Sequence, residues 1–544
     1  MRNGPAHRNL NAIFLGSVVL LTCLELVSAL VNGVEFMWLI VADLSPYLLL
    51  FTAIWALFSF TDGKAAEKVM VVLAAAVLLY ECVYGVLQLI GKSSPGHFYY
   101  RMTGDFGNPG PYGGFIAALL AVTIPEALKY RKARPLKTNA LPLLCAAASI
   151  PGIVILPLTL SRTAFAAFAF AVLLYISRIE AVRRFVSRRK WTLAAAAAVL
   201  AVAAVLLFNF KKESAKGRLH IWKIEAKAIA AKPLTGYGPG MALGAYGDAQ
   251  ELYFREGGPF SAAEIRAAGV PEYAFSEYLR FGMECGVPGL VLSALAAVCA
   301  LLLLRRKRSA LEYALAVLVV FSLASYPLSL WQFRILAAIL LGAAAGARSR
   351  GMAITAAAAT VPAAILALLC AGTLIELRDA RTYAKEARLG IAFGSPRYCS
   401  DSLAKRLSYL RNDGEFLYDC GYRLRTEGRY EDSNGMLALG KKISANPSFN
   451  LLTGQNLEDM GEYGKAEKEY LSGYYKVPCR IRPLYLLMEM RLKQGEDRGA
   501  LEMAQRISRM PVNRKVRSMA TMKSRAIAVR DSLSNTVTNT QHYR

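Results

Sequence analysis

Long apolar segments recur through the first two thirds of this 544-residue chain and restrict its fold more than any other feature. Each is about twenty residues long, which as a helix is enough to cross the roughly 30 Å hydrocarbon core of a bilayer. A water-soluble core of this size would not contain so many of them. They end near residue 373, and an ordinary soluble composition follows. The sequence therefore predicts an all-α fold, with a polytopic membrane bundle followed by a soluble domain.

Eleven segments are predicted to span the membrane. The first, residues 12–31, lacks a small-residue cleavage site and is followed by further spans, so we expect it to be retained as a helix. The predicted spans cover residues 12–31, 36–60, 69–90, 112–128, 140–160, 163–177, 191–209, 275–304, 311–331, 333–347 and 352–373.

Basic residues give the chain a formal net charge of +26. Many of them lie in short clusters between spans, at residues 129–137, 183–190 and 305–308. Such clusters mark the cytoplasmic side of a membrane protein. With a cytoplasmic N-terminus, all three fall on that side, so the charge indicates topology and no nucleic-acid partner is expected. Residues 91–111, 161–162, 210–274 and everything after about residue 374 are then exported.

The soluble tail carries a repeat. Gly428, Gly461 and Gly495 each precede a similar dipeptide, at spacings of 33 and then 34 residues. A period of this length, with a glycine at an inter-helix turn, is typical of tetratricopeptide-like helical hairpins. Residues 374–515 are thus predicted to form a helical solenoid, either a protein-binding surface or a stabilising cap. Residues 516–544 are polar and are predicted to be disordered.

Cysteine and histidine give no sign of a metal site. Six of the nine cysteines fall in apolar segments, and Cys399, Cys420 and Cys479 lie in the tail without a C-x-x-C pair. The four histidines do not cluster. We therefore expect neither a metal nor another cofactor.

Several polar segments fall at span ends on the predicted exported side, where a charge near lipid is a functional candidate. In chain order they are Phe106-Gly107-Asn108-Pro109, Ser161-Arg162, Arg218 with Trp222, Pro233 to Gly238, and Ser276-Glu277-Tyr278-Leu279 with Glu284 to Leu290. Over residues 100–345 this ordered set resembles the O-antigen ligase and polymerase superfamily.

The resemblance implies transfer of a glycan from undecaprenyl diphosphate to an acceptor hydroxyl at the periplasmic face of a bacterial inner membrane, without a metal. The acceptor could be lipid A core in lipopolysaccharide, a protein Ser or Thr in O-glycosylation, or a growing polysaccharide, and we favour them in that order. A non-enzymatic flippase or scaffold is the alternative from another class.

The diphosphate leaving group needs cationic partners. Arg162 and Arg218 match the arginines of the family, and guanidinium groups bind phosphate oxygens in pairs. Lys216, Asn108 and Arg280 are further candidates for this site. The alternatives are interfacial anchors for the two arginines, a solvated cation for Lys216 and a helix cap for Asn108.

The acceptor hydroxyl needs a base. Many ligases have His followed by Asn before the motif at residues 277–279, whereas this chain has Phe275 and Ser276. Glu277 and His220 are the remaining candidates. The alternatives are a carboxylate that complements a helix N-terminus for Glu277 and a solvated loop histidine for His220.

Overall fold

The computed structural model describes residues 5–130, 135–188, 212–347, 349–392, 395, 398–511 and 516–542. Over these ranges the chain forms α-helices and two short 3-10 helices without any β-strand, which confirms the predicted all-α fold. It divides into two compact units. The membrane unit comprises Met1–Val27, Ile40–Ala215 and Tyr273–Gly372, and the hairpin unit comprises Ser28–Leu39, Lys216–Glu272 and Thr373–Arg544.

The first fourteen helices carry the apolar segments and the polar stretch between them. They are α1 (Pro5–Val31), α2 (Met37–Phe60), α3 (Gly63–Leu89), α4 (Pro109–Ala127), α5 (Leu136–Leu158), α6 (Arg162–Ile176), α7 (Glu180–Arg188), α8 (Lys212–Ala231), α9 (Ala242–Glu256), α10 (Ala262–Ala267), α11 (Glu277–Lys307), α12 (Leu311–Phe321), α13 (Trp331–Ala345) and α14 (Arg350–Ala392).

Six of these helices, namely α1, α2, α3, α5, α11 and α14, contain a segment long and apolar enough to cross a bilayer. Helices α6, α12 and α13 are shorter and also apolar. The chain is therefore a multi-pass membrane protein. The predicted span at residues 191–209 lies outside the described residues, and the count of eleven remains a prediction.

Three predicted spans differ from the observed helices, one of them because α14 continues past the predicted end at residue 373 to Ala392. The span predicted at 311–331 ends ten residues early, because α12 stops at Phe321 and Pro327–Ser329 form a 3-10 turn. The span predicted at 275–304 is α11, and it is broken at Gly286, where φ is 71° and ψ is −171°. That backbone region is essentially restricted to glycine. Pro288 follows and cannot donate the backbone hydrogen bond that would continue the helix across the break.

Helix α4 forms the centre of the membrane unit. Its buried residues lie on all sides, which is typical of a helix surrounded by other helices. It packs against α3, α5, α6 and α12. Glycines allow the close approach: a Cβ at Gly114 would lie 2.5 Å from the ring of Phe321, and one at Gly113 would lie 2.5 Å from Oγ1 of Thr159.

The hairpin unit contains paired antiparallel helices. Its remaining helices are α15 (Ser400–Ala404), α16 (Leu407–Leu410), α17 (Gly414–Thr426), α18 (Tyr430–Ile443), α19 (Ser448–Asp459), α20 (Tyr463–Lys476), α21 (Arg482–Lys493), α22 (Asp497–Arg509) and α23 (Arg517–His542). Gly428, Gly461 and Gly495 lie at the turns within three successive pairs, with φ of 77°, 78° and 73°. Their classification as tetratricopeptide-like repeats remains a prediction.

The end of the chain differs from the disorder predicted for residues 516–544, because α23 extends from Arg517 to His542. Ala526 and Val529 are buried in a cluster with Met503 and Ala504, and partly buried apolar side chains pack beside them. The apolar residues of α23 recur every three or four positions, at Met519, Met522, Ala526, Val529 and Leu533. This stripe forms the buried face of an otherwise polar helix. The prediction of disorder was based on the average composition of the segment, which does not show such a stripe.

Candidate active site

The segment before α4 ends in a helix cap. Asn108 is the N-cap residue, and its Oδ1 accepts a hydrogen bond of 2.8 Å from the backbone N–H of Gly110. Gly107 precedes it with φ of 62°, a conformation that glycine adopts without penalty. Asn108 therefore has the structural role that was the alternative to diphosphate binding. Its diphosphate role stays a prediction.

Ser161 joins the start of α6 to the start of α4. Its Oγ accepts a weak hydrogen bond of 3.4 Å from the N–H of Ala164 and donates one of 3.2 Å to the carbonyl of Gly110. Arg162 is the first residue of α6 and is half-buried. Two helix N-termini thus meet at Ser161, the residue before Arg162. In α4, Pro109 and Pro111 lack an N–H and the N–H groups of Gly110 and Tyr112 are bonded to Asn108, so the partial positive charge that favours an anion comes from the start of α6.

The turn before Ser161 is strained. Leu160 has φ of 50° although it carries a side chain, and its neighbours Thr159 and Ser161 are buried. A left-handed conformation costs a leucine about 1–2 kcal/mol. The surrounding structure therefore holds the Ser161-Arg162 pair in one defined position.

Glu277 begins α11 and is 2% exposed. Its Oε1 accepts a hydrogen bond of 2.6 Å from the N–H of Leu328, and its Oε2 accepts one of 2.8 Å from Nε of Arg280. Its own N–H donates to the carbonyl of Ser322 at 2.9 Å. Glu277 therefore fixes the start of α11 to the segment after α12, a role that the sequence did not predict. Its place in the first turn of α11 also fits the predicted alternative of a carboxylate that complements a helix N-terminus.

Arg280 lies between two carboxylates on one face of α11. Its Nε contacts Glu277 and its Nη1 lies 3.0 Å from Oε2 of Glu284. The helix breaks at Gly286, two residues beyond Glu284. Because both carboxylates neutralise this guanidinium, the geometry gives little support to Arg280 as a diphosphate ligand.

Arg334 extends this polar network. Its Nε donates to the carbonyl of Leu328 at 2.6 Å, and its guanidinium pairs with Asp43 of α2. Glu25 of α1 interacts electrostatically with Arg280 and Glu284. Arg334 ends a polar stretch at a predicted span end, whereas Glu25 and Asp43 were not among the predicted site residues. A charged residue inside a predicted span was the available signal for these two.

The family's histidine position carries an aromatic cluster instead. The ring of Phe275 lies 5.6 Å from that of Tyr326, and Tyr273 stacks on the same Tyr326 at 4.1 Å. Neither Phe275 nor Ser276 supplies a side chain of the basicity expected there. Within the described ranges, no three His, Cys, Asp or Glu side chains come together as a metal ion would require.

His220 belongs to the hairpin unit and lies on α8. It is 5% exposed, so the alternative of a solvated loop histidine is wrong. Its Nε2 lies 3.1 Å from Oε1 of Gln250, whose Nε2 donates to the carbonyls of Gly269 and Lys476. Gln250 Oε1 is then an acceptor, which assigns the proton to Nε2 of His220. Burial lowers the pKa of this imidazole.

Arg218 and Lys216 also lie on α8, and both are half-buried. Arg218 and Trp222 are four residues apart and share a helix face, whereas His220 points elsewhere. In the glycine-rich segment that follows, Gly236, Gly238 and Gly240 have φ of 64°, 102° and 78°. A Cβ at Gly238 would lie 2.6 Å from Val34, so this segment needs glycine for a packed turn.

Comparison with known proteins agrees with the motif analysis. Residues 147–294 match the family model described as O-antigen ligase. The matched region contains Ser161-Arg162, α8 with Arg218 and His220, and the first part of α11. A search of curated proteins found no match. Over these residues, about a quarter of its length, the chain is similar to the O-antigen ligase family.

Proposed function

We propose that this protein transfers a glycan from undecaprenyl diphosphate to an acceptor hydroxyl at the periplasmic face of a bacterial inner membrane, without a metal. The acceptor oxygen bonds to the anomeric carbon from the face opposite the leaving group. The bond from that carbon to the diphosphate breaks, and undecaprenyl diphosphate leaves with the electron pair. The observation that carries the proposal is Arg162 at the joined starts of α4 and α6.

In this proposal Arg162 binds the diphosphate. Its guanidinium offers paired N–H donors at a permanent positive charge, and the N-terminus of α6, where it lies, adds partial positive charge. Leaving-group charge grows in the transition state, so contacts fixed in advance lower the barrier. The strain at Leu160 supports such a fixed arrangement.

Arg218 is the second proposed diphosphate ligand, and Lys216 contributes a further positive charge. Both lie near the start of α8, and Arg218 shares its face with Trp222. Because a lysine is a point charge, we assign Lys216 to attraction of the anionic carrier rather than to a defined contact.

Glu277 is the first candidate for the base that takes the acceptor proton. A carboxylate has about four lone-pair positions, and the two contacts with Leu328 and Arg280 leave others for a hydroxyl. Arg280 would then be a positioning residue that holds this carboxylate. His220 is the second candidate, and its contact with Gln250 favours a structural role.

Three acceptors remain possible, in the order lipid A core, protein hydroxyl and growing polysaccharide. The hairpin unit is consistent with a protein partner or acceptor. Surface glycolipids and exported glycoproteins from cells with and without this protein should be compared by mass spectrometry. Loss of one glycan from one acceptor class would support the proposal and identify the acceptor. Unchanged glycans on every class would contradict it, and a flippase would deplete all products of one carrier together.

A further inference from the structure

The loop after α3 presents aromatic side chains to its surroundings. Phe98 is 93% exposed and Tyr99 is 81% exposed, and Tyr100 is also exposed. An exposed apolar group of this kind marks an interaction surface rather than a folding core. We call residues 97–100 the aromatic tip.

The aromatic tip is ordered by local contacts. Nδ1 of His97 accepts a hydrogen bond of 3.0 Å from the N–H of Tyr99. The ring of His97 lies 4.6 Å from that of Tyr100, and the rings of Phe98 and Tyr99 are 5.0 Å apart. These contacts hold the rings as one group while leaving their outer faces uncovered.

Gln88 ties both ends of this loop to α3. Its Nε2 donates to the carbonyls of Ser94 at 3.3 Å and Gly104 at 3.0 Å. Its Oε1 accepts from the N–H groups of Thr103 and Gly104, both at 2.9 Å. Gln88 lies next to the end of α3 at Leu89, so the aromatic tip is held close to the end of that helix.

The exposed face of α3 is apolar, and it ends close to the aromatic tip. Its exposed large apolar side chains recur every three or four residues along the helix and continue just past its end, at Val69, Val72, Leu73, Val77, Tyr80, Val83, Val86, Leu89 and Ile90. Since α3 is long and apolar enough to span a bilayer, this stripe faces lipid. The aromatic tip follows where the stripe ends, at the level where hydrocarbon gives way to headgroups.

The charges of the loop match that environment. Lys92 and Arg101 flank the aromatic tip and are both exposed, and residues 91–104 contain no acidic side chain. Aromatic rings with basic neighbours are favoured at the membrane–water interface, where cations meet lipid phosphates.

We infer that the aromatic tip is a membrane anchor: Phe98, Tyr99 and Tyr100 insert among phospholipid headgroups, and Lys92 and Arg101 contact the lipid phosphates. The anchor holds the loop at headgroup depth, and with it the segment from Gly104 to Asn108 that leads into α4. The inference goes beyond the proposed transfer reaction and does not depend on it.

The test uses the full chain in lipid nanodiscs without a glycan donor. All nine cysteines are replaced, and a single Phe98→Cys variant carries an environment-sensitive fluorophore. Gly258→Cys is the matched control, because Gly258 is exposed with open space around it. Tyr99→Cys is used if Phe98→Cys does not fold.

The label at position 98 should be quenched by lipids spin-labelled near the headgroup several-fold more than the control, and it should be protected from aqueous iodide. Equal quenching of both labels by iodide, without lipid quenching, would overturn the anchor. Protection that appears only when a soluble glycan is added would also overturn it and would indicate a sugar-binding platform instead.

Discussion

Nε of Arg280 lies 2.8 Å from Oε2 of Glu277 within α11, and the same guanidinium lies 3.0 Å from Glu284. One cation therefore holds two carboxylates, of which only Glu277 also accepts a hydrogen bond from Leu328. The proposed base and a structural anchor thus coincide in one residue, and substitutions can separate the two roles.

Glu277→Gln should retain an acceptor for the N–H of Leu328 while losing the negative charge. If Glu277 is the base, turnover should fall about 10²–10⁴-fold with donor binding unchanged. Glu284→Gln is the matched control, because it removes the same charge from Arg280, and it should lower turnover far less. Equal losses in both variants would show that the ion pair, rather than a base at Glu277, is what matters.

His220 should make stability depend on pH. Burial lowers the pKa of its imidazole, so the folded state disfavours the protonated form. The unfolded chain takes up that proton below about pH 6.5, and the folded chain does so only at lower pH. Stability is therefore complete above about pH 6.5 and declines as the pH falls towards the lowered value.

His220→Gln should flatten that decline in thermal unfolding measured from about pH 8 to about pH 5. Glu264, which lies near His220, does not titrate in this pH range and so does not contribute to the decline. Hydrogen bonds from Tyr253 and then Lys223 lower its pKa to about 2, so it stays ionised throughout this range. A decline of equal size in wild type and variant would contradict the assignment. Glycan transfer should change less than in Glu277→Gln, and a complete loss in His220→Gln alone would make His220 the base.

Gly286→Ala tests the break in α11. An alanine at φ of 71° and ψ of −171° should destabilise the protein by about 1–3 kcal/mol. Gly372→Ala is the control, because Gly372 is helical with nothing within 4 Å, and this change should be neutral or stabilising by up to about 1 kcal/mol. Unfolding in a series of denaturing detergent concentrations measures the stability of both variants. An unchanged stability of Gly286→Ala would mean that the fold does not require the break in α11.

Topology can be measured directly. We predict Lys137, Arg188 and Lys307 on the cytoplasmic side, and Arg218 and Gly461 on the exported side. In a chain whose nine cysteines are replaced, Arg188→Cys and Gly464→Cys place labels at exposed positions at or near these markers. A membrane-impermeant maleimide should modify Gly464→Cys in intact spheroplasts and Arg188→Cys only after lysis. The reverse pattern would overturn the predicted orientation and the face proposed for the chemistry.

Local sequence patterns predicted much of this fold. Apolar segments located the membrane helices, because transfer of a long apolar helix into lipid depends on its own residues. Glycines at a regular spacing located the turns of the hairpins at Gly428, Gly461 and Gly495, where positive φ favours glycine. A helix cap was the predicted alternative for Asn108, a short polar residue before a proline-led helix, whereas no cap was predicted at Ser161.

Long-range contacts could not be predicted in the same way. The partner of Glu277, Leu328, lies 51 residues away and contributes a backbone N–H that any residue could supply. Gln250, which holds His220, lies 30 residues away in a different helix. The break at Gly286 depends on packing around two half-helices, and glycines within apolar helices are otherwise common.

Release of undecaprenyl diphosphate by the purified protein tests the central proposal most directly. Protein in liposomes would receive an undecaprenyl diphosphate-linked glycan and an acceptor glycolipid, and mass spectrometry would follow both products. Wild type should release the carrier as the glycan appears on the acceptor. Arg162→Lys and Arg218→Lys should each fall about a hundredfold, a loss of about 3 kcal/mol of transition-state stabilisation, while the surface control Arg255→Lys stays normal. Near-normal release by both lysine variants, or no release by folded wild type with any acceptor class, would contradict the account.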